Sequence, residues 1–274
     1  MARADELLDA GDRQSALIEL KSLAQDYPDS LDARTHLAAL HLDIGDATSA
    51  LKEAERAEKL GMGSGQFDYL LIRALVARGK LEQAIERIQA LADWDKSAEL
   101  LVLFADASLL SGDGAKARLY FDDALQRDDA NPDALLGLAR LEALAGNVET
   151  AMDFIDRSLS LKPENYRAYL LRGEIEAFRG NWPEAMKAYE QAYALNDFIA
   201  DGILGNVRAH LELKQFPEAR KQLAVAARRF SNDVRVTYYQ ALSSMMEDRS
   251  EEAIDLFREV LTAAPDNALS QYYL

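Results

Sequence analysis

The 274-residue chain contains no cysteine, which excludes a disulfide framework and a thiolate metal site. It also lacks any run of 18 apolar residues, so no segment is expected to span a membrane. Basic residues are scarce beside acidic ones, 31 Lys and Arg against 47 Asp and Glu, and the formal net charge is −16. Phosphate binding needs clustered Lys and Arg, so this balance disfavours nucleic acid and anionic membrane surfaces as partners.

Residues 166–199 contain the pattern that recurs through the chain. Two amphipathic helical segments flank a short break at Arg179-Gly180-Asn181. Glycine adopts a left-handed backbone at little cost, so Gly180 is expected to end the first helix and Asn181 to cap the second. The segment therefore predicts one helical hairpin.

Equivalent turns recur at intervals of 33 or 34 residues. Six of them have glycine: Gly11, Gly45, Gly79, Gly112, Gly146 and Gly180. The same register continues through Lys214 and Asp248, where glycine is replaced. Polar residues that follow the turns are expected to cap the second helices: Asp12, Asp46, Asp113, Asn147 and Asn181. Proline is expected to end three second helices: Pro28, Pro163 and Pro265.

Small and bulky residues alternate in register with the turns. Alanine stands five residues after every turn: Ala16, Ala50, Ala84, Ala117, Ala151, Ala185, Ala219 and Ala253. A larger side chain at this position would hold the two helices of a hairpin apart. Bulky residues occupy the complementary positions: Leu20, Ile88, Phe121, Ile155, Tyr189, Leu223 and Phe257. This spacing predicts a core of small and large side chains between paired helices.

A 34-residue helical hairpin with this pattern resembles the tetratricopeptide repeat. The resemblance implies an all-α fold, a right-handed superhelix of antiparallel helix hairpins, in a single domain over residues 1–274. The expected repeats span residues 1–30, 31–64, 65–97, 98–131, 132–165, 166–199, 200–233 and 234–267, with a partial ninth at 268–274. Two joints, at the GMGSG segment of residues 61–65 and near Trp94, depart from the pattern and are expected to alter the curvature.

The opening segment SALIELKSLAQDYPDSLDARTHLAALHLDIGDATSALKEAERAEKLGM resembles the start of the tetratricopeptide lipoproteins of the PEP-CTERM/exosortase system. The later blocks AELLVLFADASLLSGDGAKARLYFDDAL and PDALLGLARLEALAGN follow in the same order. The resemblance implies a bacterial, periplasmic outer-membrane lipoprotein linked to exopolysaccharide, with a cytoplasmic location as the alternative. That family is longer, and the chain stops inside a fresh helical pattern, so we expect a segment of a longer protein. Met1 leads directly into the amphipathic ARADELLDA, without a signal-peptide pattern.

No arrangement of residues predicts catalysis, a metal or a cofactor. His36 and His41 are five residues apart, about 140° around a helix, and so do not share one face for a metal. His41 and His210 occupy packing positions and are expected to serve the core. The GMGSG segment lacks the Lys-Ser/Thr and the preceding strand of a phosphate loop. We therefore expect a non-enzymatic scaffold that binds a protein or peptide, with binding of an exported polysaccharide as the alternative.

In the expected superhelix, the first helix of each hairpin lines a groove. The register places one row of apolar residues ten positions before each turn and another three positions before. It also places an alternating row of charges six positions before five successive turns, which predicts a charge ladder. Together these rows give the candidate binding residues: Tyr69, Arg73, Asp106, Leu136, Arg140, Leu170, Glu174, Leu204, Arg208, Tyr238 and Met245.

Two further expectations concern partners. The row six before the turn contains no asparagine, and the row nine before it contains no Lys or Arg. The carboxylate clamp of chaperone-binding repeats uses these residue types, so we expect no binding of C-terminal EEVD peptides. At the other end, Tyr272, Tyr273 and Leu274 are expected either to fold back onto Phe257 and Val260 or to pack on another molecule, which predicts self-association.

Overall fold

A computed structural model describes residues 1–60, 66–91 and 97–273, and the described residues form helices and no strand. The two irregular joints predicted at residues 61–65 and near Trp94 lie outside the described residues. None of the described helices is long and apolar enough to cross a membrane. The chain divides into two compact units, Met1–Ala145 and Gly146–Leu274, each described here by itself.

The first unit consists of nine helices within its described residues. They are α1 (Ala2–Asp9), α2 (Arg13–Asp26), α3 (Leu31–Asp43), α4 (Ala47–Lys59), α5 (Gln66–Ala77), α6 (Leu81–Ala90), α7 (Ala98–Leu110), α8 (Gly114–Arg127) and α9 (Pro132–Leu144). Consecutive helices pack in pairs, and the first helices α3, α5, α7 and α9 also contact one another in succession. This arrangement is the one that the 34-residue repeat predicts.

The second unit consists of eight helices within its described residues. They are α10 (Val148–Leu161), α11 (Tyr166–Phe178), α12 (Trp182–Leu195), α13 (Ala200–Glu212), α14 (Phe216–Arg229), α15 (Val234–Met246), α16 (Ser250–Ala263) and α17 (Ala268–Tyr273). Here the first helices α11, α13 and α15 contact one another in succession. In each unit, the first helices present a surface on the side away from the second helices. We call this surface the first-helix face.

Within each unit, the hairpin turns close by the same pair of backbone hydrogen bonds. In the turn between α11 and α12, Asn181 N–H donates to the Glu176 carbonyl at 2.8 Å, and Gly180 N–H donates to the Ala177 carbonyl at 3.0 Å. This Schellman geometry requires a positive φ at the turn residue, and Gly180 has a φ of 73°. Lys214 and Asp248 adopt the same conformation, with φ of 57° and 62°, so the predicted register is confirmed where glycine is absent.

All five predicted N-cap positions are confirmed, and a side-chain capping bond forms at the three aspartates but not at the two asparagines. The carboxylates of Asp12, Asp46 and Asp113 accept hydrogen bonds from backbone N–H groups three residues later. Asn147 and Asn181 stand at the N-cap position without such a bond. The Asn181 side-chain amide N–H donates to the Glu176 carboxylate at 2.9 Å, a charge-assisted hydrogen bond across the turn.

The core follows the predicted alternation of small and large residues. The alanines five residues after each turn are 0–3% exposed, and the bulky complementary residues are 0–4% exposed. At the C-terminal end, the ring of Tyr273 stacks on Phe257 with centroids 5.2 Å apart. The expected fold-back onto Phe257 is therefore confirmed for Tyr273, while Leu274 lies outside the described residues.

Candidate functional site

The apolar row ten residues before each turn is divided between core and surface. Leu136 and Leu204 are only 5% and 3% exposed. Packing between helices buries their side chains and leaves almost no surface for a ligand. Tyr69, Leu170 and Tyr238 are half-buried and keep part of their surface open. These three residues are therefore the candidates of this row that a ligand can reach.

The row three residues before each turn is mostly buried as well. Leu42, Val76, Ala177 and Leu211 are all less than 9% exposed. Met245 is half-buried and packs against the cluster around Phe257. Methionine is unbranched and polarisable, so Met245 retains an adaptable contact at the edge of this face.

In the first unit, Tyr69 and Arg73 form an aromatic–arginine pair one helical turn apart on α5. The Arg73 guanidinium carbon lies 5.9 Å from the centroid of the Tyr69 ring. The same guanidinium lies 3.8 Å from the Asp43 carboxylate at the end of α3. Burial raises the pKa of the Tyr69 hydroxyl, although nearby Arg73 opposes the rise. The ring is thus a neutral platform that holds a cation at the surface.

In the second unit, Arg208 and Trp182 form a similar pair across two helices. The Arg208 guanidinium carbon lies 5.4 Å from the Trp182 ring centroid, and Arg208 is exposed. Tyr238 and Tyr239 of α15 meet edge to face at 5.5 Å. Burial raises the pKa of Tyr239, and the positive charge of Arg208 opposes that rise. A cation and aromatic surface thus lie together on this face.

The remaining charged candidates lie on the helices that the register assigns to them. Asp106 on α7 and Arg140 on α9 are half-buried in the first unit, and Glu174 on α11 is exposed in the second. Arg73 contacts Asp43, and Arg208 contacts Trp182. Neither partner belongs to the row of alternating charges from which the ladder is expected. The ladder itself stays a prediction.

His41 and His210 are buried within their hairpins, as expected. His41 is 3% exposed, and its Nδ1 lies 3.3 Å from a carboxylate oxygen of Asp46. Nδ1 of His210 lies 2.8 Å from the side-chain oxygen of Gln215. No group of three or more His, Cys, Asp or Glu residues suited to a metal ion occurs in the described ranges.

Sequence reasoning missed Trp182 and Asp43 as partners of the two arginines. Trp182 follows its turn by two residues, and Asp43 precedes its turn by two. Neither position belongs to the rows from which the candidates were drawn. A signal was nevertheless present, because a tryptophan beside a turn is large enough to reach past its own helix onto the neighbouring hairpin.

Three family profiles of tetratricopeptide repeats match this chain. One family profile described as tetratricopeptide repeat matches residues 1–65, 69–132 and 153–198, and a second with the same description matches residues 108–175. A profile described as protein kinase G tetratricopeptide repeat matches residues 181–270. No curated protein matches the chain.

Two solved structures share the fold at low sequence identity. A tetratricopeptide repeat protein from Parabacteroides merdae ATCC 43184 is 17% identical with a TM-score of 0.59, covering 89% of this chain and 97% of its own. The pilF protein of Pseudomonas aeruginosa is 17% identical with a TM-score of 0.61, covering 81% of this chain and 97% of its own. At this identity the likeness shows the fold alone. Because the first profile covers more than half of the chain, this protein belongs to the tetratricopeptide repeat family.

Proposed function

We propose that this protein is a non-enzymatic scaffold that binds a peptide segment of a protein partner on its first-helix face. Tetratricopeptide repeats are protein-interaction modules and typically lack catalytic activity. The observation that carries the proposal is the exposed Arg208 guanidinium held over the Trp182 ring beside Tyr238. Aromatic and arginine side chains are the types that most often dominate binding energy in interfaces.

The geometry favours a peptide that carries both a carboxylate and apolar side chains. A guanidinium presents several N–H donors in one plane and binds a carboxylate through two of them. The aromatic surfaces of Tyr238 and Trp182 offer apolar contact near that charge. In the first unit, Tyr69 and Arg73 offer the same two chemistries.

The test uses peptides selected from a random display library on the immobilised protein, with affinities then measured by calorimetry. We expect Arg208→Ala to weaken binding of a selected peptide by roughly tenfold, because a guanidinium–carboxylate contact is lost. Arg228→Ala is the matched control, since Arg228 is exposed on α14 and donates to the Ala224 carbonyl within its own helix. Equal affinities for wild type, Arg208→Ala and Arg73→Ala would contradict the proposal.

The same measurement separates the polysaccharide alternative. An oligosaccharide of uronic acids also carries carboxylates, and its sugar rings stack on exposed aromatic side chains. Binding of the oligosaccharide by wild type and its loss in Tyr238→Ala, with no selectable peptide, would establish the alternative. Binding of a peptide that the oligosaccharide fails to displace would exclude it.

The resemblance to PEP-CTERM/exosortase lipoproteins supports a role in the bacterial envelope, with the partner belonging to the exopolysaccharide or protein-sorting machinery. Fractionation of cells that express the natural full-length protein tests this location. Recovery in the outer-membrane fraction would support it, and recovery in the cytoplasmic fraction would contradict it.

A further inference from the structure

A cleft of about 490 Å³ opens between α2, α3 and α4, away from the candidate residues of the first-helix face. Its lining is basic although the chain as a whole is acidic. The charged residues that line it are Lys21, Arg34, Lys52, Arg56 and Glu53. Four cations and one anion give a formal charge of +3, against −16 for the whole chain. We call this feature the basic cleft.

The floor of the basic cleft is a fully engaged ion pair. Arg34 donates to Glu53 at 2.6 Å and to the Ala24 carbonyl at 3.0 Å. Arg56 donates to the other oxygen of Glu53 at 2.8 Å. The side chains of Arg34 and Glu53 are only 11% and 9% exposed, so this pair serves packing between the helices. Glu53 is thereby occupied by two cations, and the positive excess is left at the rim.

The rim is formed by Lys21 on α2 and Lys52 on α4, both exposed. Among the described residues, neither lysine takes part in an ion pair. The lining also includes Pro28, an apolar residue that is exposed. Two ammonium groups outside any ion pair and one apolar side chain are therefore accessible at the rim.

The equivalent cleft one repeat later has the opposite charge. It lies between α4, α5 and α6, and its charged residues are Glu55, Glu58, Asp68, Glu86 and Arg87, a formal charge of −3. Thirty-four residues separate Lys21 from Glu55 and Lys52 from Glu86. The floor pair is kept with its signs exchanged, since Arg87 lies 3.6 Å from the Asp68 carboxylate.

Comparison of the two clefts shows which charged residues packing uses and which it does not. An arginine–carboxylate pair occurs at both floors, in either orientation, so packing accommodates the pair with either arrangement of signs. Packing does not require lysine at the rim, because glutamate stands at both equivalent positions. The lysines of the basic cleft are thus free to serve binding.

We propose that the basic cleft binds an acidic peptide segment of a protein partner through its Asp or Glu carboxylates. Side-chain carboxylates on methylene stems match the cations and the exposed apolar Pro28 at the rim. A free phosphate would leave Pro28 without a contact. The surrounding acidic surface repels an acidic segment elsewhere, so electrostatic attraction concentrates at this cleft. The site lies apart from the first-helix candidates and adds a second partner contact to the proposed function.

The test measures fluorescence anisotropy of a rhodamine-labelled hexaglutamate peptide at low ionic strength. We expect binding by wild type and a loss of roughly tenfold or more in the double variant Lys21→Glu with Lys52→Glu. That variant reproduces the rim of the neighbouring cleft, and both positions are exposed, so the fold is expected to persist. A thermal melt followed by circular dichroism checks that it does.

The control is Lys162→Glu with Lys221→Glu, which changes the net charge equally at exposed positions of the second unit. It is expected to bind within about twofold of wild type, because neither lysine lines the basic cleft and only the net charge changes. Failure of wild type to bind hexaglutamate, or equal loss in both double variants, would overturn the proposal. Stronger displacement by pyrophosphate or by a six-nucleotide oligonucleotide than by unlabelled hexaglutamate would overturn it in favour of phosphate. Because Arg73 and Arg208 are untouched, these results are independent of those for the first-helix face.

Discussion

Lys214 and Asp248 are the two residues other than glycine with a left-handed backbone in the part of the chain that the structure describes. The Cβ atom of an L-residue crowds the following carbonyl in this conformation, at a cost of roughly 1–2 kcal/mol. The Schellman bonds persist at both turns, with Gln215 N–H donating to the His210 carbonyl at 2.8 Å. The hydrogen bonds that close the hairpin therefore form despite the backbone strain at these two residues.

We expect Lys214→Gly to raise the free energy of unfolding by roughly 1 kcal/mol, since relief of the strain exceeds the added entropy of the unfolded chain. Urea denaturation measures the change. The reciprocal control is Gly180→Ala, whose Cβ would meet nothing within 4 Å and whose cost of about 1 kcal/mol is therefore due to the backbone alone. A loss of stability in Lys214→Gly would show that the lysine side chain contributes more than the strain costs.

His41 is a buried imidazole whose equivalent in the next repeat is Leu75. Burial lowers the pKa of His41 below its ordinary value of 6.5, although the carboxylates of Asp46 and Glu53 oppose the shift, and Lys21 reinforces it. The folded state therefore keeps the imidazole neutral at a pH where the unfolded chain binds a proton. Below pH 6.5 this difference favours unfolding.

We expect wild-type stability to fall as the pH is lowered from 7.5 to 5.5, and His41→Leu to lose less over the same range. The caps Asp12 and Asp46 do not account for the change, because their carboxylate pKa values lie below the ordinary 3.8. Urea midpoints at the two pH values measure the effect. Identical pH dependence in wild type and His41→Leu would refute it.

At the scale of helices, two repeats accommodate an aromatic ring by placing glycine at the facing position, and we call this pairing the size rule. One position lies nine residues after a turn, and the other lies nine residues before the next turn. Phe121 faces Gly137, where an added Cβ would come within 2.2 Å of the ring. Tyr189 faces Gly205, where an added Cβ would come within 2.6 Å. The repeat between these two has Ile155 and Leu171 at the same positions.

The size rule predicts rescue by exchange. Gly205→Leu alone forces a side chain into the Tyr189 ring and is expected to cost about 3 kcal/mol or more. Tyr189→Ile alone leaves a cavity and is expected to cost about 2–4 kcal/mol. The double variant reproduces the Ile155 and Leu171 pair, so we expect it to be at least 1 kcal/mol more stable than the sum of the single losses predicts. Thermal or urea unfolding of all four proteins measures this coupling, and strict additivity would contradict the rule.

At the scale of the whole molecule, the C-terminal helix α17 carries a concentrated apolar surface. Leu269 is 57% exposed and Tyr272 is 81% exposed, while Ile254 on the adjacent α16 is 37% exposed. Within the described residues α17 packs on α16, and Tyr273 covers Phe257. Clustered apolar surface of this kind promotes association, whereas single exposed apolar residues do not.

We expect concentration-dependent self-association that Leu269→Ser with Tyr272→Ser reduces. Multi-angle light scattering over a range of protein concentrations measures the molar mass. Phe178→Ser is the matched control, because Phe178 is 84% exposed at the end of α11, away from α16 and α17. A strict monomer at high concentration, or equal association in both variants, would contradict the prediction.

The hairpins, their turns and the composition of their core could all be predicted from the amino-acid sequence. These features depend on interactions over a few residues or one repeat. Gly180 needs only its own backbone freedom to end α11, and Ala185 needs only the neighbouring helix to be buried. The same local requirements recur every 34 residues. This period therefore predicts the turn at Lys214, where glycine is missing.

The tertiary structure alone decided which residues of the predicted rows remain available to a ligand. Leu136 and Leu204 share a register with Tyr69 and Tyr238, yet the former are buried and the latter are half exposed. The exposure of each residue depends on the size of the side chains on adjacent helices. A single row of repeat positions does not include those side chains. The basic cleft has the same origin, because Lys21, Arg34 and Lys52 belong to three helices and converge only when those helices pack.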